Sequence, residues 1–142
     1  MTIVIRLDRA EAVDEASVDF QSLEDFLASP GERPVLLAVD EEVERIANHL
    51  PVIPEIALDF PTFFDGRHYS SAQILRKNYG YEGDIRAVGD VRVDQLEQMV
   101  RCGFNVFELA DGQDPAIARE KLQGFSYSYQ PTVDREPLFL KR

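Results

Sequence analysis

Cysteine occurs once in the 142 residues, at Cys102. No internal disulfide can form, and a Cys-rich zinc or iron–sulfur site is excluded unless a partner supplies ligands. Histidine occurs only at His49 and His68, outside any spacing such as H-x-x-x-H, so no metal site is expected. G-x-G-x-x-G, P-loop and G-x-S-x-G sequences are missing, which leaves dinucleotide, NTPase and hydrolase-elbow chemistry without motif support, and no cofactor is expected. No apolar run approaches the roughly 20 residues that span a bilayer. The N-terminal Met1–Asp8 turns polar too soon for a signal peptide, so the cytoplasm is the expected compartment. Basic residues are few, 15 Lys and Arg against 26 Asp and Glu, for a net charge of −11. That balance points away from nucleic acid, which is bound through clustered Lys and Arg. It also points away from anionic membranes, and it favours solubility and self-repulsion.

The length fits one domain, and 44% apolar with 29% charged residues is an ordinary globular mixture. Three stretches differ in pattern. Residues 1–30 are acidic and read as a mobile arm ending in a short helix, Leu23–Ala28, with Ser22 as N-cap and Pro30-Gly31 as its stop. Residues 31–130 alternate apolar runs of strand length with helix-spaced apolar residues. The expected order is a strand at Pro34–Val39, a helix at Glu41–Leu50 capped by Asp40, and a strand at Ile53–Phe60. A helix capped by Ser70 or Ser71 and ending at Gly80 follows, then a strand at Ile85–Val88. A helix starting at Val93 or Asp94 and ending at Gly103, a strand at Asn105–Leu109, and a helix opened by Asp114-Pro115 complete it. Such alternation predicts an α/β domain with a mostly parallel sheet of about four strands, either open and three-layered or curved like half of a barrel. Phe125, Tyr127 and Tyr129 alternate with polar residues as in an edge strand, and residues 131–142 read as an extended arm.

In parallel sheets, ligands sit beyond the carboxyl ends of the strands. The connection after the second expected strand, Phe60–Tyr69, brings Asp65-Gly66, Arg67 and Ser70 together near a helix start, a combination suited to a small oxyanion such as sulfite, sulfate or phosphate. The structural reading of the same residues is an Asp65–Arg67 pair, a turn at Gly66, and serines capping the helix. Arg86 lies inside a strand with Val88 on its face and Ile85 and Ala87 opposite. It needs a partner, for which Asp84, Asp90, Glu108 and Asp65 are candidates, or it contacts a ligand. Asp90, Asp94 and Glu108 are the candidates for a general acid and base, against readings as a loop residue, a helix cap and a partner of Arg86 or Arg101, and Gln95 reaches a ligand from its helix start if it does not face solvent. Cys102 at a helix C-terminus reads as buried and inert, because the dipole there raises a thiol pKa. Of the two histidines, His68 is the better site candidate, although a surface position is expected for it.

The blocks Phe60-Pro61-x-Phe63-x-Asp65-Gly66-Arg67-x-Tyr69-Ser70, Leu75-Arg76, Arg86-Ala87-Val88-Gly89-Asp90-Val91, Asp94-Gln95-Leu96, Arg101-Cys102-Gly103-Phe104 and Phe107-Glu108-Leu109, with Tyr129-Gln130-Pro131 in the tail, together resemble the bacterial domain of unknown function 934 family. The resemblance implies a place beside the enzymes of assimilatory sulfate reduction, since members carry the label of oxidoreductases involved in sulfite reduction. Three readings follow from these residues and the resemblance. One is a non-catalytic accessory protein that binds sulfite reductase or another sulfate-assimilation enzyme and holds an oxyanion at the Arg67 turn. The second is a small α/β enzyme on a sulfur- or phosphate-bearing metabolite, with Arg67 and Arg86 on the anion and Asp90 or Glu108 as acid–base. The third is a half-barrel that homodimerises to complete a site.

Overall fold

The computed structural model describes residues 2–8, 11–15 and 19–125. One mixed sheet of seven strands holds the order β2-β1-β7-β6-β5-β4-β3. The strands are β1 (Thr2–Arg6), β2 (Glu11–Glu15), β3 (Gln21–Ser22), β4 (Val35–Leu37), β5 (Glu55–Phe60), β6 (Asp84–Gly89) and β7 (Val106–Glu108). From β3 to β7 neighbours are parallel and lie in chain order, whereas β1 pairs antiparallel with both β7 and β2. The expectation of about four parallel strands is thus corrected to seven in a mixed sheet. Residues 2–15 are not a mobile arm within the described residues: Val4 and Ile5 are buried, and β1 continues the sheet beyond β7. Their place in the sheet comes from antiparallel pairing with β7, about a hundred residues along the chain. The expected edge strand from Phe125 and the C-terminal arm fall on residues 126–142, outside those described.

The helices are α1 (Leu23–Ala28), α2 (Arg67–Gln73), α3 (Leu96–Cys102) and α4 (Pro115–Leu122). Ser22 caps α1 as expected, its hydroxyl accepting from the Asp25 N–H at 3.1 Å, and Asp114 caps α4 with Pro115 at the first turn. Three expectations are corrected. The segment after β4 is a 3-10 helix, Val43–Val52, containing Pro51, and Asp40 does not cap it. Proline lacks the N–H that an α-helix would need there. Glu41 instead turns its carboxylate onto the Ala38 N–H at 2.8 Å. Ser70 and Ser71 lie inside α2, which starts at Arg67 behind Gly66 and runs on through one π-helical turn at Ile74–Asn78.

Chain-order parallel strands with right-handed crossovers place their helices on one face. The core agrees: Val35, Leu37, Ile56, Leu58, Ile85, Ala87 and Phe107 pack with Leu75, Met99 and Leu122. The opposite face carries the alternate residues, including Ala57, Arg86, Val106 and Val4, which are buried as well.

Arg86 is the largest side chain of that second face and only 1% exposed. Its Nε donates to Glu55 on β5 at 2.6 Å and its Nη1 to Glu108 on β7 at 2.8 Å, while the Phe20 ring lies 5.5 Å from the guanidinium. Glu108 was among the partners expected from sequence, and Glu55 was not. Nη2 is buried without an acceptor, so part of the arginine's desolvation is uncompensated. Arg86→Met leaves two neighbouring carboxylates without their cation, so it should destabilise the protein by about 3 kcal/mol or more. Arg86→Met/Glu55→Gln/Glu108→Gln should recover most of that loss, because the charges leave together. Urea denaturation of the two variants measures this, and an Arg86→Met protein within about 1 kcal/mol of wild type would refute the role given to the triad.

Candidate functional site

The carboxyl ends of β5 and β6 are tied together by backbone before any side chain acts. Gly89 has φ +94°, and a Cβ at that position would collide with the Phe60 carbonyl oxygen. This close approach lets the Asp90 N–H reach the Phe60 carbonyl at 2.7 Å. Asp90 then points at the loop that follows β5, and its Oδ2 accepts the Phe63 N–H at 2.9 Å. Gln95 completes the grip by donating to the Phe63 carbonyl at 2.8 Å. Arg92 bonds both Asp90 oxygens, at 3.0 and 3.2 Å, and its guanidinium covers the Phe63 ring at 3.9 Å. The Arg92 hydrogen bonds, with that from Phe63, hold the Asp90 pKa below the usual carboxylate value.

The next residue, Phe64, leans on the Phe63 ring at 4.1 Å between centroids and is 80% exposed. Asp65 and Arg67 then lock the turn. Asp65 accepts from the Arg67 N–H at 3.1 Å, from its Nε at 3.1 Å and from its Nη2 at 2.7 Å. These bonds lower the Asp65 pKa to about 2. The Arg67 pKa is raised by the same bond and, more weakly, by the charge of Asp40. Beyond Arg67 lies a cleft of about 380 Å³ whose lining includes Asp40, Glu41, Glu42, Glu44, Arg67 and Ser70.

Sequence-predicted residues therefore separate into three places. Asp65, Gly66, Arg67 and Ser70 share one edge as expected, but Arg67 is already bonded by Asp65 and faces carboxylates, which oppose an added anion. Asp90 and Gln95 meet at Phe63, where they hold backbone. Arg86 and Glu108 meet each other on the face away from the helices. Cys102 is buried, and burial raises its thiol pKa, in the direction expected but with desolvation as the cause. Among the described residues, no group of three His, Cys, Asp or Glu gathers to hold a metal ion, and no helix is long and apolar enough to cross a membrane.

The family described as "Bacterial protein of unknown function (DUF934)" matches residues 34–139, well over half of the chain. The chain belongs to the DUF934 family. The match starts just before β4, so it takes in the parallel strands β4 to β7, while β1, β2, β3 and α1 precede it. No curated protein and no solved structure matches the chain.

Sequence reasoning passed over Arg92, Phe64, Glu55 and the true position of His68. Arg92 two residues after Asp90 was the available signal for the first, and an aromatic in a Pro61–Gly66 turn with no periodic partner for the second. His68 is the clearest correction in this DUF934 protein: expected at the surface, it is completely buried. It sits on the inner side of α2, edge-on to Phe60 at 6.2 Å, with Nε2 2.9 Å from the Ala38 carbonyl and Nδ1 2.9 Å from the Ser71 hydroxyl. A carbonyl only accepts, so Nε2 carries the proton and the neutral ring accepts from Ser71.

Burial lowers the His68 pKa, with the Ala38 hydrogen bond acting against it. The unfolded chain therefore takes up this proton first as the pH falls. The stability that neutral His68 contributes is complete above its ordinary value of 6.5 and is lost below it, until the lower folded-state pKa is passed. His68→Gln should flatten the fall in stability between pH 7 and pH 5, measured by denaturant titration at each pH. An unchanged pH slope would show that His68 is not the group responsible.

Proposed function

We propose that this DUF934 protein is an accessory component of assimilatory sulfite reduction that acts by binding a partner enzyme. The pathway rests on the family resemblance; the role rests on one observation. The charged groups of the carboxyl edge are bonded to each other and to their own loop, as Asp90 is to Arg92 and Phe63, and Arg67 to Asp65. Reactive sites more often hold titratable groups poised toward open space with pKa values moved toward neutrality. Asp65 and Asp90 move the other way.

A small α/β enzyme acting on a sulfur- or phosphate-bearing metabolite is the second reading, and Asp59 favours it. Asp59 lies near the carboxyl end of β5, and burial raises its pKa, as a general acid requires. Complementation separates the two readings. A strain lacking this protein, grown on sulfate as its sulfur source, should be restored by the Asp59→Asn variant. Purified sulfite reductase should co-elute with the wild-type protein. Loss of growth with Asp59→Asn in a folded protein supports the enzyme, and failure of the two proteins to associate removes the accessory reading.

A further inference from the structure

Phe64 is the most exposed large apolar side chain among the described residues, and the residues on either side of it are held by hydrogen bonds. The residue before it is held at N–H, carbonyl and ring by Asp90, Gln95 and Arg92. The residue after it accepts hydrogen bonds from three nitrogens of Arg67, and the Asp65 N–H closes on the Thr62 carbonyl at 3.2 Å. An aromatic ring kept in water by a bonded framework adds to the isolated fold only its contact with the Phe63 ring. Buried in a partner's pocket it is a strong anchor, because little conformational freedom remains to be lost. The charges flanking it cancel in pairs, Asp65 with Arg67 and Asp90 with Arg92, so the tip is a neutral apolar point on a chain of net charge −11. Arg67 joins this tip to the cleft that also holds Asp40, Glu41, Glu42 and Glu44, four carboxylates against one already paired cation.

From these features we infer that the Phe64 tip and the adjoining acidic cleft form a docking surface for a protein partner that presents an apolar pocket beside a projecting lysine or arginine. The ring enters the pocket and the basic side chain enters the cleft. A second copy of this chain fits poorly, because it would set the same acidic cleft against its own kind. The inference rests on the accessory reading and adds the surface that performs it.

The test places a photo-crosslinking p-benzoylphenylalanine at position 64 in the full chain in growing cells, with position 52 as control. Val52 is 43% exposed and precedes β5 at the opposite edge of the sheet. The protein joined at position 64 is identified, purified, and titrated with wild type, Phe64→Ala and Glu42→Lys/Glu44→Lys. Expected are a single adduct at 64 and none at 52, an affinity about thirtyfold weaker for Phe64→Ala, and slower, less salt-sensitive association for the charge variant. The thermal midpoint of Phe64→Ala should equal that of wild type, since the ring supports no core. If the adduct is sulfite reductase, both the surface and the accessory reading stand. If it is another protein with the same dependence on Phe64, the surface stands and the sulfite-reduction reading falls. Absence of an adduct, an adduct with a second copy of this chain, or equal binding by wild type and Phe64→Ala overturns the surface.

Discussion

Arg86 reaches Glu55 on one neighbouring strand and Glu108 on the other, as diagonal neighbours in the observed register. A slip of one residue between β5 and β6 would turn one set of side chains to the other face and strand a buried cation. That register has consequences at the far end of the strands. It sets Gly89 opposite Phe60, where the missing side chain permits the contact that delivers Asp90 to the loop. Asp90 fixes Phe63, and Phe63 fixes the direction of Phe64. The exposed ring is thus placed by the strand register through the contacts of Gly89, Asp90 and Phe63.

The helix layer is fastened to the strands by a comparable economy of polar groups. His68 carries α2 onto the end of β4, and Arg76 donates to the carbonyls of Gly103, Tyr81 and Gly83, joining the π-helical turn to the end of α3 and the entry to β6. These side chains donate to backbone carbonyls that the sheet and helices leave over, which is the usual fate of buried donors. In the family-matched region Arg67, Arg76, Arg86 and Arg92 are all engaged by the chain's own carboxylates or carbonyls.

Much of the local structure was legible in the chain. Ser22 and Asp114 announced helix starts, Gly103 a helix end at φ +120°, and the apolar runs around Leu58, Ala87 and Phe107 the central strands. Pro51 should have weakened the expectation of an α-helix after β4, because a missing N–H is a local property. The acidic first fifteen residues were misread for a different reason: antiparallel pairing of β1 with β7 joins residues about a hundred positions apart, and no local pattern reports it. The candidate site divided in the same way. The Asp65–Arg67 pair is a contact between near neighbours and was expected as one alternative, whereas Glu55 on Arg86 and Ala38 on His68 are about thirty residues away.

By itself the sequence determined the family, the α/β alternation, the Ser22 and Asp114 caps, and the face of β6 on which Arg86 lies, because all of these follow from neighbours along the chain or from blocks in fixed order. Tertiary structure alone decided which charges meet, that His68 is buried, that the helices share one face of a mixed sheet, and that Phe64 is left in solvent. Burial and ion pairing are properties of atoms brought together across the sheet, and a residue's identity does not state what will lie beside it.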